Sequence, residues 1–192
     1  GMLRRFDFTP GEYYHVYNRG VDKRVLFTTR AEYERFMVVL YLGNGTMPFL
    51  VRDIPVDKNK AYAKHRGGQL VDIGAFVLMP NHFHLLLKER ARNGISRFMK
   101  KILTAHSMYF NLKHKRTGVL FEGRFRAKHA NDDTYSRHLV TYIHLNPIGK
   151  KITGGKRMPS LLDQTIAYPY ASLTDYIGPH RPEGSILNVK AF

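Results

Sequence analysis

The sequence predicts one folded domain in which β-strands and α-helices are mixed. Its 192 residues are enough for a sizeable core, and 43% of them are hydrophobic and 12% aromatic. Segments with strand-like alternation are separated by segments with apolar residues at helical spacing. Residues 69–79 and 82–87 show the strand pattern most clearly, and residues 93–113 show the helical one.

The composition indicates a nucleic-acid partner. Thirty-one Lys and Arg residues oppose 15 Asp and Glu residues, giving a formal charge of +16. Such an excess predicts a polyanionic partner, with nucleic acid favoured over an anionic membrane. The absence of Cys excludes disulfides, thiolate chemistry and Cys-type zinc sites. No run of 18 apolar residues and no signal-peptide pattern is present, so we expect a cytoplasmic, nucleoid-associated protein.

The first third of the chain predicts a strand, a helix and a loop. Residues 13–19 are rich in β-formers and predict the first strand. Thr29 and Glu32 have the spacing of a capping box, which predicts a helix that ends at residues 43–45. Residues 44–68 lack periodicity, so we expect at best a short strand at 49–52, followed by an exposed loop.

A predicted hairpin carries the first candidate site. Residues 69–79 form an apolar strand, and Pro80-Asn81 turns the chain into the next strand. Because strand side chains alternate between faces, His82 and His84 share one face and the intervening Phe83 lies on the other. Two imidazoles on one face can converge on a divalent metal ion. The alternative is a polar strand face without a metal.

A long helix is predicted from residue 94 to about Lys113, with Asn93 as its cap. The apolar residues at helical spacing are expected to form one buried stripe. They are Ile95, Phe98, Met99, Ile102, Ala105, Met108, Tyr109 and Leu112. The other side is basic, and it is either solvated or lines a path for phosphates.

Arg and Phe alternate in residues 120–128, which predicts a strand or an extended loop. Aromatic residues interleaved with cations suit stacked bases beside phosphates. The alternative is that Phe121 and Phe125 belong to the core and only the Arg residues face solvent.

The last predicted helix carries the second candidate site. Asp132 or Asp133 begins it and Pro147 ends it. Tyr142 and Asn146 are four residues apart and therefore lie one above the other on this helix. A metal ion can stabilise charge on a phosphate, and a tyrosine beside the phosphorus can attack it.

Tyr135 is the rival nucleophile, but Leu139 occupies the position four residues later, where Tyr142 has an Asn.

The order of these motifs resembles the HUH single-strand DNA transposases of the one-tyrosine type, and among them the REP-associated tyrosine transposases. The motifs that carry the resemblance are Tyr14-His15-Val16-Tyr17-Asn18-Arg19-Gly20, Met79-Pro80-Asn81-His82-Phe83-His84, Leu120-Phe121-Glu122-Gly123-Arg124-Phe125, Tyr142-Ile143-His144-Leu145-Asn146-Pro147 and Tyr168-Pro169-Tyr170-Ala171-Ser172. The likeness covers residues 12–178. Glu122 departs from it, since a neutral or amide residue is expected there.

The resemblance implies an α+β fold with a ferredoxin-like antiparallel sheet, helices packed on it and a basic C-terminal extension. Residues 1–148 would form the transposase domain, and residues 149–192 a basic linker and a tail that docks on it. His82, His84 and Asn146 would hold Mg²⁺ or Mn²⁺. Tyr142 would form a 5′-phosphotyrosine link while nicking and joining single-stranded DNA beside hairpins, and the protein would act as a monomer or homodimer.

Eight basic residues are expected to contact DNA phosphates. They are Lys23, Arg24, Lys100, Lys101, Arg116, Arg124, Arg126 and Lys128.

Three alternatives stay open. A phosphate hydrolase of the histidine-triad kind needs a third His at the position of Leu86, which argues against it. A domesticated, non-catalytic single-stranded DNA-binding protein would keep the charge and the aromatic residues. An RNA-binding protein could use a similar sheet.

Overall fold

A four-stranded antiparallel sheet organises the chain. The structure is a computed structural model and describes residues 7–148 and 163–192. The strands lie in the order β2-β3-β1-β4. They are β1 (Tyr13–Arg19), β2 (Val71–Met79), β3 (His82–Glu89) and β4 (Arg126–Ala130).

The main helices are α1 (Arg30–Gly43), α2 (Lys58–Ala63), α3 (Gly94–Lys113) and α4 (Asp133–Leu145). A short helix spans Leu173–Ile177, and 3₁₀ turns span Val21–Lys23, Val51–Asp53, Asn146–Ile148, Pro182–Ile186 and Val189–Ala191. The sheet order, with α1 before the β2–β3 hairpin and α3 before β4, is that of a ferredoxin-like α+β fold. The predicted fold class is confirmed.

The two faces of the sheet are covered by different elements. On one face, α1 and α3 bury a large core that includes Phe36, Phe83 and Phe98. On the other face, α4 packs through Leu139 and Ile143 on a smaller cluster. Apolar alternation along β3 sends its two histidines to the α4 face, as predicted.

Residues 44–68 differ from the prediction. The expected strand at 49–52 is absent, and the expected loop contains α2. The Asp57 carboxylate begins this helix by accepting hydrogen bonds from the backbone N–H groups of Asn59 and Lys60. Ala61 and Tyr62 are buried against the core. Six residues with two buried positions are too short to produce a detectable period in the sequence.

Asn93 lies at the cap position of α3, as predicted, but its side chain does not cap the helix. Asn93 has a left-handed conformation, with φ of 54°, and its side chain makes no capping hydrogen bond. The carboxylate of Glu89 at the end of β3 accepts from the Ile95 N–H at 3.2 Å instead. The free N–H groups of the first turn are thus satisfied from the preceding strand.

The predicted burial of the last turns of α3 is wrong. Met108 and Leu112 are 66% and 83% exposed. Here the buried face passes through His106 and Phe110, whose rings lie 6.0 Å apart between centroids. The polar His106 is buried on that face, and its Nε2–H donates to the Leu26 carbonyl at 2.8 Å.

The C-terminal segment covers the outer edge of β2. Ser172 N–H donates to the Phe76 carbonyl at 2.9 Å, and Asn188 N–H to the Ile73 carbonyl at 3.0 Å. The ring of Phe192 lies over Gly74, where an added Cβ would be 2.6 Å from ring carbons. The predicted basic linker at 149–157 lies outside the described residues, and the division of the chain at residue 148 stays a prediction.

In the described ranges, 7–148 and 163–192, no helix has the length and apolar character needed to cross a membrane.

Candidate active site

Strands β1 and β3 bring together the side chains of the site. In the antiparallel register, Tyr17 lies opposite His84 and Arg19 lies opposite His82. These side chains line a cleft of about 430 Å³ at the end of the sheet. Because successive side chains of β1 point to opposite faces of the sheet, His15 lies on the same face as Tyr17.

Both strand histidines have one ring nitrogen already engaged. Nδ1 of His84 lies 2.8 Å from Nε2 of His15, and one of these two nitrogens carries the shared proton. Nδ1 of His82 lies 2.7 Å from Oδ1 of Asn81 and donates to it. These contacts leave Nε2 of His84 to meet a ligand, whereas His82 has a further side-chain hydrogen bond, with Asn146. Metal-binding histidines are typically oriented through the second nitrogen in this way.

Helix α4 places the other two predicted residues at the cleft. The ring centroid of Tyr142 lies 5.4 Å from that of His84 and 6.1 Å from that of His15. Tyr142 is 52% exposed, so a substrate can approach its phenol. Asn146, one turn later, forms a side-chain hydrogen bond with His82.

Tyr135 occupies a different environment. It packs against the small cluster beneath α4, with the ammonium of Lys128 4.6 Å from its ring centre. His138 is exposed, and Nε2 of the buried His144 lies 2.8 Å from the Ser172 hydroxyl. The structure therefore brings Tyr142 to the strand histidines and places Tyr135 in packing.

Burial keeps the site histidines uncharged at neutral pH. It lowers the pKa of His84 to about 3, and the nearby His15 and His82 act in the same direction. Burial and the charge of Lys128 lower the pKa of His15 to about 4. Burial also lowers the pKa of His82, against the opposing hydrogen bond with Asn146. Neutral imidazoles are the form that binds metal ions.

The donor set fits a divalent metal ion. The side chains of His82, His84 and Asn146 offer two imidazoles and an amide oxygen, and imidazole together with oxygen donors suits several divalent ions. Within the described residues, no group of three or more His, Cys, Asp or Glu side chains is arranged to hold a metal. The mixed set of His82, His84 and Asn146 is therefore the candidate.

The eight predicted phosphate-contacting residues do not share one surface. Lys23 and Arg126 line the cleft at the strand histidines, whereas Lys100 and Arg124 line a separate groove. Arg24 is exposed beside the 3₁₀ turn that follows β1. Lys128 lies over Tyr135, as described above.

Two of the eight are held by the fold itself. Lys101 donates to the carbonyls of Gly45 and Met47, and Arg116 donates to the Asn111 side chain and the Val119 carbonyl. These bonds give both cations a structural role in place of a free surface charge.

Sequence reasoning missed several residues of the cleft. The sequence shows His15 only as part of the motif of residues 14–20, although its alternation with Tyr17 predicts that both side chains lie on one face of β1. Arg19 forms a two-point ion pair with Glu122, the residue that departs from the family pattern. Recognising either contact needed the register of strands that are distant in sequence.

Comparison with known proteins supports the resemblance drawn from the sequence. The family model described as "Transposase IS200 like" matches residues 58–146, just under half of the chain, including β3 and α4 up to Asn146. The resemblance to the one-tyrosine transposases is confirmed. No curated protein matches.

A solved structure supports the fold of these transposases. It is described as the structure of "the REP associates tyrosine transposase bound to a REP hairpin", and it aligns over 95% of this chain and 90% of its own with a TM-score of 0.57. At 17% sequence identity this likeness shows a shared fold. The family match supports a transposase-type function.

Proposed function

We propose that this chain is a metal-dependent transposase that nicks and rejoins single-stranded DNA beside hairpins, with Tyr142 as nucleophile. The observation that carries the proposal is the half-exposed phenol of Tyr142 over His84, with Asn146 hydrogen-bonded to His82. These four residues come from two elements that are distant in sequence. The two histidines line a cleft together with Lys23 and Arg126, whose cations suit a phosphodiester substrate.

The proposed step is a transesterification. The phenolic oxygen of Tyr142 attacks the phosphorus and loses its proton, and the bond between phosphorus and the 3′ oxygen breaks. The leaving oxygen takes up a proton and becomes a 3′-hydroxyl, while the 5′ side stays linked to tyrosine. Rejoining reverses the step, and because a phosphodiester is exchanged for another phosphoester, no external energy source is needed.

The remaining residues position this reaction. Nε2 of His82 and of His84 and the amide oxygen of Asn146 would hold Mg²⁺ or Mn²⁺. When bound, such an ion supplies Lewis-acid stabilisation of charge on the phosphate. His15 fixes the ring of His84 through Nδ1 of His84, and Asn81 fixes the ring of His82. Because Tyr142 and Asn146 share α4, the nucleophile and one ligand keep a fixed relation.

The proposed partner is single-stranded DNA next to a hairpin, met at the nucleoid in the cytoplasm. The formal charge of +16 supports a polyanionic substrate. The solved structure with the same fold is of a protein bound to a REP hairpin, and we extend that substrate class to this chain as part of the proposal. Either a monomer or a homodimer is compatible with it.

A covalent-adduct assay tests the proposal. The protein would be incubated with labelled single-stranded oligonucleotides that carry hairpins, with Mn²⁺ or with a chelator, and run on a denaturing gel. We expect a metal-dependent band of protein bound to DNA. Tyr142→Phe abolishes it because the phenol forms the bond, and Tyr135→Phe, the matched control on the same helix, leaves it intact.

The other outcomes select the alternatives. A band lost only with Tyr135→Phe would overturn the choice of nucleophile and keep the reaction class. No band together with tight metal-independent binding to the same oligonucleotides would favour the non-catalytic DNA-binding protein, and preference for RNA of the same sequence would favour an RNA-binding protein.

A further inference from the structure

A second opening, the α3 groove, lies between α3 and the loop 118–125. It encloses about 780 Å³, within the roughly 300–1,000 Å³ typical of ligand sites. Leu103, Phe121 and Phe125 contribute apolar surface to its walls, and Arg97 and Lys100 project from α3 at its rim.

The charge of the α3 groove is positive and unneutralised. Arg97, Lys100 and Arg124 line it, and no Asp or Glu does. Among the described residues, none of these three cations has a carboxylate within ion-pair distance. Some cations elsewhere are paired, as Arg90 is with Asp72 and Arg181 with Asp175. Three unpaired cations around one groove predict an anionic ligand.

The groove also exposes apolar surface to the same ligand. Met108 and Val119 are 66% and 70% exposed at its edge, and the buried Phe121 and Phe125 lie behind them. A nucleotide matches both surfaces, because its base can pack on the apolar wall while its phosphate contacts the cations at the rim. A duplex stem keeps its bases stacked inside, so an unpaired strand suits the groove better.

The loop 118–125 is a wall of both openings. Glu122 lines the catalytic cleft, whereas Gly123 and Arg124 line the α3 groove. Gly123, with φ of 74°, turns the chain between them, a conformation that favours glycine. The amide of Asn18, itself part of the cleft, donates to the Arg124 carbonyl at 2.8 Å and fixes the loop to β1.

We propose that the α3 groove binds unpaired nucleotides of the strand that flanks the phosphate attacked by Tyr142. This inference rests on the proposed function, because it assigns the flanking part of the same substrate to a defined surface. The strand would pass from the catalytic cleft across the loop 118–125, with bases against the apolar wall and phosphates at Arg97, Lys100 and Arg124.

A binding assay tests this inference without chemistry. Tyr142→Phe protein in a chelator would be titrated, by fluorescence anisotropy, against a hairpin with thymidine flanks of about ten nucleotides and against the same hairpin without flanks. We expect Lys100→Ala, Arg97→Ala and Arg124→Ala each to weaken binding of the flanked hairpin about two- to fivefold at low salt. Each should also reduce the slope of log K against log salt by about 0.7.

The control is Lys60→Ala, which removes an exposed lysine of α2 that lines neither opening. This variant should leave the affinity for the flanked hairpin and its salt dependence unchanged. None of the variants should alter binding of the hairpin without flanks. Flanks carrying 5-iododeoxyuridine should crosslink to Met108 or to the aromatic residues behind it, which peptide mapping would identify.

Unchanged binding in the three variants, or an equal loss for both hairpins, would overturn the inference, as would crosslinks confined to other surfaces. Because these measurements need neither metal nor nucleophile, they are independent of the adduct assay. If no covalent adduct formed but the groove variants still weakened binding of the flanked hairpin, the proposed reaction would be rejected and the groove would remain a binding site for the flanking strand.

Discussion

His15 shows how one residue of β1 can set the geometry of a site on β3. Its Nε2 lies 2.8 Å from Nδ1 of His84, and the two rings stack with centroids 5.0 Å apart. If His84 donates through Nδ1, its Nε2 carries the lone pair that a metal requires. His15 is therefore proposed as a positioning residue that acts through His84.

Replacing His15 should weaken metal binding. We expect His15→Ala to lower the affinity for Mn²⁺ about tenfold, because partners of metal-binding histidines typically contribute about 10- to 100-fold. His15→Gln should recover part of that loss, since its amide can still meet Nδ1 of His84. Isothermal titration calorimetry or Mn²⁺ electron paramagnetic resonance on the DNA-free protein provides the measurement.

His65→Ala, at an exposed histidine of the loop after α2, is the matched control and should bind Mn²⁺ like the unsubstituted protein. Equal affinity in His15→Ala and His65→Ala would argue against the positioning role.

The residues proposed to carry the chemistry could be picked out from the sequence, and those that orient them could not. His82 and His84 share a face because strand alternation is local, and Tyr142 and Asn146 stack because helical spacing is local. The contact of His15 with His84 depends on which strands pair and in which register. Whether the basic side of α3, which includes Arg97, is solvated or lines a phosphate path stayed open, because nothing in the sequence shows that the α3 groove opens beside it.

At the scale of elements, α4 connects the nucleophile to the rest of the fold. The Asp132 carboxylate caps it by accepting from the Tyr135 N–H at 2.6 Å, and Ile143 is fully buried against the sheet. His144 reaches Ser172 of the C-terminal segment, whose hydroxyl also meets the β2 backbone. A change in the position of α4 would move Tyr142 directly.

Removing the cap of α4 should destabilise it measurably. We expect Asp132→Ala to lower the free energy of unfolding by about 1 kcal/mol, because an N–H of the first turn loses its acceptor. For a chain of this size, that corresponds to a fall in Tm of roughly 2–4 °C. Hydrogen exchange over residues 133–145 should accelerate in parallel.

Asp132→Asn keeps an acceptor at the same place and should retain most of the stability in the same thermal scan. If Asp132→Asn lowered the stability as much as Asp132→Ala does, loss of the carboxylate charge, and not loss of the capping hydrogen bond, would explain the destabilisation.

Element prediction worked where a pattern repeats and failed where a distant group intervenes. The strands and the long helices α1 and α3 each contain enough turns or alternations to show a period. The short helix α2 does not, and it forms because Tyr62 finds a place in the core. Asn93 lies at the cap position, but the carboxylate of Glu89 from the preceding strand, and not the Asn93 side chain, accepts from an N–H of the first turn.

At the scale of the whole molecule, four buried histidines couple stability to pH. Burial lowers the pKa of His15, His106 and His144 to about 4, and that of His84 to about 3. In the unfolded chain these groups would titrate near 6.5. Between these values the unfolded state binds more protons, so the native state loses stability as the pH falls from about 6.5 to about 4.

Thermal unfolding of the metal-free protein should therefore shift downward between pH 7 and pH 5. Each histidine contributes at most about 1.4 kcal/mol per pH unit, and the loss of about 2 kcal/mol from a single one of them lowers Tm by roughly 4–8 °C. Glu32 adds nothing in this range. Burial raises the pKa of Glu32, but hydrogen bonds from Thr28, Lys113 and His114 outweigh it and hold that pKa at about 2.

His106→Gln should flatten this dependence, since Gln can still donate to the Leu26 carbonyl and does not titrate. His138→Gln removes an exposed histidine of α4 and should leave the dependence as it is. A Tm that stays constant from pH 7 to pH 5 in the unsubstituted protein would contradict the prediction.

The covering of β2 by the C-terminal segment has a consequence for how the chain behaves among its own copies. The Leu78 N–H donates to the Tyr170 carbonyl, and the Phe76 and Ile73 carbonyls accept from Ser172 and Asn188, all at 2.9–3.0 Å. These bonds occupy the outward peptide groups of a nine-residue, almost wholly buried strand. Proteolytic loss of residues 163–192 would uncover an apolar sheet edge able to recruit strands from other molecules, which is how fibrillar aggregates begin.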